Sequence, residues 1–104
     1  MYDMKKYKVY TKEKGIIETN DGSGILELTL HRVDGPAYIR YDINANKKIE
    51  EYCVDGKIHR LNGPAVIQYA EDGNIIYEVY YINGIEYTEE NYHKELLKLK
   101  LQGL

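Results

Sequence analysis

Two histidine–arginine pairs, His31-Arg32 and His59-Arg60, and a single cysteine, Cys53, are the residues of this chain best equipped for chemistry. A histidine can move protons or bind zinc, but a zinc centre needs three or four ligands. No Cys-rich or His-x-x-x-His spacing accompanies either one. Both histidines stand at the same place in a phrase repeated 28 residues apart. A catalytic group is rarely duplicated in register, so the expectation is one structural slot filled twice. No catalytic residue, metal ligand or cofactor site is assigned. Cys53 falls opposite Tyr81 in the repeat and has no matching His–acid motif, so it reads as a small apolar filler and not as a nucleophile. Arg32 and Arg60 are expected to pair with Glu50 and Glu78 across neighbouring strands; the competing reading makes them a shared anion contact. Gly35 and Gly63 precede prolines, with no strand–glycine–helix context, and form no phosphate loop.

Tyrosine carries the other signal: twelve are present, with no Phe or Trp. Tyr41, Tyr69, Tyr52 and Tyr80 recur in the repeat and are expected in core or cross-strand stacks. Tyr38, Tyr77 and Tyr81 do not recur, so the repeat does not demand them. Tyrosine offers broad contact area at little entropic cost. Together with Asp42, Glu51, Glu71 and Asp72, these three form the expected partner-binding set, a sheet face suited to a basic protein surface. The plainer reading is that tyrosine simply favours strands.

The repeat sets the elements that must position these groups. His31–Gly56 and His59–Gly84 agree at eleven of twenty-six positions without a gap. After each Gly-Pro the side chains alternate, and Ala37, Ile39 and Tyr41 return as Ala65, Ile67 and Tyr69; these retained residues mark the core face of a strand. Turns at Asn44–Asn46 and Asp72–Asn74 lead to second strands, Lys48–Val54 and Ile76–Ile82. Asp55-Gly56 and Asn83-Gly84 are type I′ hairpin signals. One unit buries too little to stand alone, so neighbours must stack. Before the repeat, Tyr7, Val9 and Tyr10 suggest an edge strand, and Gly15–Thr19 with Ile25–Arg32 suggests a hairpin about Asn20–Gly24. After it, Thr88 is an N-cap for an amphipathic helix over 88–102, with Tyr92, Leu96 and Leu99 on its stripe and Leu97, Leu101 and Leu104 widening it. This helix is expected to cap the sheet against edge-to-edge pairing.

Length and composition fit one small soluble domain over 1–104: an N-terminal strand and hairpin region (1–30), two repeats (31–87) and the helix (88–104). The basic first fourteen residues include Lys5, and the net charge of −3 is concentrated as an acidic centre between basic ends, which disfavours direct nucleic-acid binding. No apolar run is long enough for a signal peptide or membrane span, and a single cysteine fits a reducing, cytoplasmic setting.

The string Glu50-x-Tyr52-x-x-Asp55-Gly56-Lys57-x-His59-Arg60-x-Asn62-Gly63-Pro64-Ala65, followed by Glu78-x-Tyr80-x-x-Asn83-Gly84, resembles a MORN-type repeat, and more closely the His-Arg-x-Asp-Gly-Pro-Ala variant of bacterial, phage and large-virus arrays. The resemblance covers roughly 28–87. It departs from the usual pattern in having His-Arg for His-Gly, Tyr for Trp, and only two full units. It implies a mainly β fold, an antiparallel meander of stacked hairpins closed here by the capping helix. It implies scaffolding or binding and no catalysis. The favoured expectation is therefore a small non-enzymatic protein-binding module. Its concrete form is a phage or mobile-element inhibitor of a host defence enzyme, of anti-CRISPR type. The alternative is a lipid- or nucleotide-sequestering module using Arg32 and Arg60. An edge-strand dimer is left open.

Overall fold

Residues 6–103 are described by the structure, a computed structural model; Lys5 and Leu104 lie outside them. The chain runs β1 (Lys6–Thr11), β2 (Gly15–Thr19), β3 (Tyr38–Tyr41), β4 (Lys47–Glu51), β5 (Cys53–Val54), β6 (Lys57–Ile58), β7 (Val66–Tyr69), β8 (Ile75–Ile82), β9 (Ile85–Tyr87) and α1 (Glu89–Leu101). Seven strands form one antiparallel sheet in the order β2-β1-β3-β4-β7-β8-β9, and β5-β6 form a two-stranded ribbon. The fold is mainly β, a meander with one C-terminal helix.

Each unit is the expected pair of hairpins. Both Asx-Gly turns have positive φ at both central residues, 52° and 80° at Asp55-Gly56 and 51° and 81° at Asn83-Gly84, as a type I′ turn requires. The register places Lys8, Ile39, Glu50, Ile67 and Glu78 in one row across five strands. Directly opposed residues share a face. Ile39 and Ile67 are 5% and 6% exposed and Ala37 and Ala65 fully buried, so the retained residues are the core, as the alternation requires.

The structure corrects several expectations. β1 is no edge: it lies between β2 and β3. β2 folds back on β1 and does not pair with Ile25–Arg32, whose one ladder contact is a bridge from Leu30 to Thr11. The reason is a disguised third unit. Tyr10 N–H donates to Ala37 O at 2.8 Å and Tyr10 O accepts from His31 N–H at 2.9 Å; Tyr52 makes the same two bonds to Ala65 and His59 at the same lengths. Lys8–Thr11 thus take the place of Glu50–Cys53, and the β2 excursion replaces a two-residue turn. The second strand of the first unit also breaks at Tyr52, where its mate in β8 is continuous.

Helix α1 begins at Thr88, whose hydroxyl accepts from Asn91 N–H at 3.2 Å, with Glu89 and Glu90 in the positive first turn. Tyr92 is 1% exposed; its ring lies 4.7 Å from that of Tyr80, and its hydroxyl donates to Arg60 O and Gly63 O at 2.6 and 3.0 Å. Leu97 and Leu101 point outward and do not widen the stripe. The helix is therefore seated on the Arg60–Gly63 loop and the Tyr80 end of β8. It does not cap the rest of that strand, where Ile75, Ile76 and Tyr77 stay exposed.

Candidate functional site

The histidines and arginines of the repeated phrase have structural tasks. His31 Nδ1 accepts from Asp55 N–H at 3.0 Å, and His59 Nδ1 accepts from Asn83 N–H at 2.9 Å. Each histidine thus closes the Asx-Gly turn of its own unit. Arg32 Cζ lies over the Tyr10 ring, 3.9 Å from its centre, and the guanidinium donates from Nε to Asp34 Oδ1 at 3.0 Å and from Nη1 to Pro36 O at 3.2 Å. Arg60 repeats this on Tyr52 at 3.9 Å, with Asn62 Oδ1 and Pro64 O at 3.1 and 2.9 Å. The expected pairing of these arginines with Glu50 and Glu78 is not formed; each guanidinium instead folds back over its own loop. That explains the glycines. A Cβ at Gly35 would stand 2.7 Å from Arg32 Cζ, and one at Gly63 3.1 Å from Arg60 Cζ.

Both arginines line one cavity of about 560 Å³ between the two loops, with Asp34, Tyr52, His59 and Asn62. Asp34 neutralises Arg32, whereas Asn62 leaves Arg60 without a carboxylate partner in its loop. Cys53 is 3% exposed, and burial followed by the Glu51 charge pushes its thiol up to about 12, far from a reactive thiolate. Among the described residues no cluster of His, Cys, Asp and Glu could hold a metal ion, and no helix is long and apolar enough to cross a membrane.

The expected binding residues separate into two groups. Asp42 and Asp72 accept from the backbone of their own turns, at Asn44 and Asn46 (2.9 and 3.0 Å) and at Asn74 (3.0 Å). Glu71 is exposed beside Asp72. These three lie at the tips of the β3–β4 and β7–β8 hairpins. Tyr38, Glu51, Tyr77 and Tyr81 are instead brought together on one face. One row reads Val9, Tyr38, Glu51, Val66 and Val79, and the next reads Tyr7, Arg40, Ile49, Gln68 and Tyr77. Most of these side chains are half-buried, and Tyr77 is 53% exposed.

Glu51 is the centre of this face. Among the described residues its carboxylate has no hydrogen bond or ion pair, and burial raises its pKa. Tyr38 is raised by burial, then by Tyr7 and Glu51; Tyr81 is raised by burial, then by Glu86, Tyr77 and Glu51. Alternation along β3 puts Arg40 on the same face as Tyr38, but the sequence did not reveal Tyr7 as a member, because its place depends on β1 joining β3. Arg40 Nε is buried with no hydrogen-bond partner. The arrangement offers phenol groups beside a poorly solvated carboxylate. No family model, curated protein or solved structure matches the chain.

Proposed function

We propose that the chain is a non-enzymatic protein-binding module whose Tyr38–Glu51–Tyr77–Tyr81 face docks on a basic protein surface. The observation that carries this reading is Glu51: a half-buried carboxylate beside Tyr38 and Tyr81 that, among the described residues, has no hydrogen-bond or ion-pair partner. A lysine or arginine from a partner would relieve its desolvation, and the tyrosines supply rigid contact area around it. The non-repeated identity of these residues supports the same reading, since repeated ones such as Ile39, Ile67, His31 and His59 are committed to the core and the turns. A host defence enzyme whose nucleic-acid groove this module would occupy as an inhibitor is one partner class of this chemistry.

Quantitative affinity capture with wild-type and Glu51→Lys protein tests the proposal. Basic proteins should be retained by the wild type and lost, at least about tenfold, from the variant, because a like charge replaces the acceptor. Equal capture by both would refute the role of this face. The anion-binding reading is favoured by one observation, the shared cavity of Arg32 and Arg60. Phosphate-dependent elevation of the melting temperature, absent in Arg60→Gln, is its distinguishing result.

A further inference from the structure

We infer that the open flank of β8 accepts an extended, lysine- or arginine-bearing segment of another protein as an added antiparallel strand. The inference rests on the protein-binding reading above and gives it a second contact and a mode. β4 is flanked by β3 and β7, but Ile75–Val79, the same stretch one repeat later, is paired with β7 alone. β9 reaches only Tyr80–Ile82. Among the described residues nothing occupies the remaining flank. It borders a groove of about 530 Å³ whose lining includes Glu78, Glu86 and Glu89 and no cation.

The buried copy shows what this groove lacks. Glu50 is 5% exposed, accepts the Tyr69 hydroxyl from β7 and pairs with Lys47 Nζ at 3.3 Å. Its mate Glu78 is exposed and has neither partner. The repeat offset puts Leu97 where the next tyrosine would stand, and Ile75 where the lysine would stand. An incoming strand must therefore bring both a hydroxyl and a cation, on the pattern of Ala65–Tyr69. The backbone supplies the rest. Tyr52 N–H donates to Ala65 O across to the β7 side, so Glu50 faces that side too, and the corresponding open groups in β8 are those of Glu78; Ile76 is the extra residue where the register shifts between Gln68 and Tyr69. A second copy docking through its own β8 would bring another Glu78, Glu86 and Glu89 into an acidic groove. Charge selects a basic strand from a different protein.

Two peptides built on β7 test this, Lys-Ala-Val-Ile-Lys-Tyr-Lys and its twin with glutamates for lysines, titrated into isotopically labelled protein at low salt. The basic peptide should slow hydrogen exchange at the Glu78 amide and bind about tenfold or more tighter than the acidic one. Glu78→Lys, a change at an exposed side chain, should reduce or reverse that preference. Unchanged exchange at the Glu78 amide under saturating basic peptide would overturn the inference, as would its protection in concentrated free protein, which reveals self-pairing. Binding that shifts Tyr38, Glu51 and Tyr81 but not Ile75–Val79 would overturn the edge site alone. Absence of both responses, with no partner lost in Glu51→Lys, would sink the protein-binding reading as well.

Discussion

The backbone N–H of Asn83 donates to Nδ1 of His59 at 2.9 Å, and Asp55 and His31 make the same bond one repeat earlier at 3.0 Å. An accepting Nδ1 must be unprotonated, so each ring carries its proton on Nε2. His59→Ala should destabilise the protein by about 1 kcal/mol, a lost hydrogen bond that leaves a turn amide unpaired. Burial lowers the His59 pKa from the ordinary 6.5. As pH falls, the unfolded chain takes the proton first. The histidine's contribution is therefore complete above about 6.5 and is lost as pH drops through the folded value. Denaturant melts at about pH 7.5 and pH 5 should show a smaller acid loss in the variant than in the wild type.

The two inter-strand turns differ at one telling position. Ala45 and Gly73 are repeat mates, and both are left-handed, with φ of 65° and 88°. Alanine is strained there and glycine is not. Ala45→Gly should raise stability by about 0.5–1 kcal/mol, and Gly73→Ala, with open space around its Cβ, should lower it by about 1 kcal/mol. Thermal melts of the two variants give the comparison.

Tyr92 fixes the helix to the second loop. Tyr92→Phe keeps the ring against Tyr80 but strands the Arg60 and Gly63 carbonyls, and should cost roughly 1–2 kcal/mol. Tyr92→Ala should cost about 3–5 kcal/mol. Far-ultraviolet circular dichroism should then show the helical signal lost before the β signal on heating.

Much of this architecture is written locally and could be read from the chain. The Ala37-x-Ile39-x-Tyr41 alternation, the Asx-Gly turns and the Thr88 cap depend on neighbours a few residues apart. The N-terminal region was not legible, because the unit beginning at Lys8 is split by the β2 excursion and shares with Glu50–Cys53 only the tyrosine. Its place is set by backbone bonds between Tyr10, Ala37 and His31, which leave no side-chain signature. The arginines misled for a related reason: the glycine at the third residue after each permits a fold-back that spacing to Glu50 and Glu78 does not reveal. For the candidate face, the absence of repetition singled out Tyr38, Tyr77 and Tyr81. Strand register was needed to separate Glu51 from the turn-bound Asp42 and Asp72.

A binding residue that is poorly solvated in the free protein should be a stability liability. The pKa of Glu51 is raised by burial, so its charged form is disfavoured in the fold. Its contribution is favourable below the ordinary carboxylate value of 4.5 and is lost as pH rises through the folded value. Glu51→Gln should therefore stabilise the protein at neutral pH by roughly 0.5 kcal/mol, a figure reduced for partial exposure, while weakening partner retention. The stability gain should vanish near pH 4, as followed by melting temperature.

Photocross-linking from position 68, which shares the open face with Tyr77, tests the central claim most directly. With a benzoylphenylalanine in place of Gln68, a basic protein should be trapped, and Glu51→Lys should abolish the adduct while Glu71→Lys leaves it in place. Adducts from position 68 that survive Glu51→Lys, or that form only from the hairpin tip at position 72, would contradict the account.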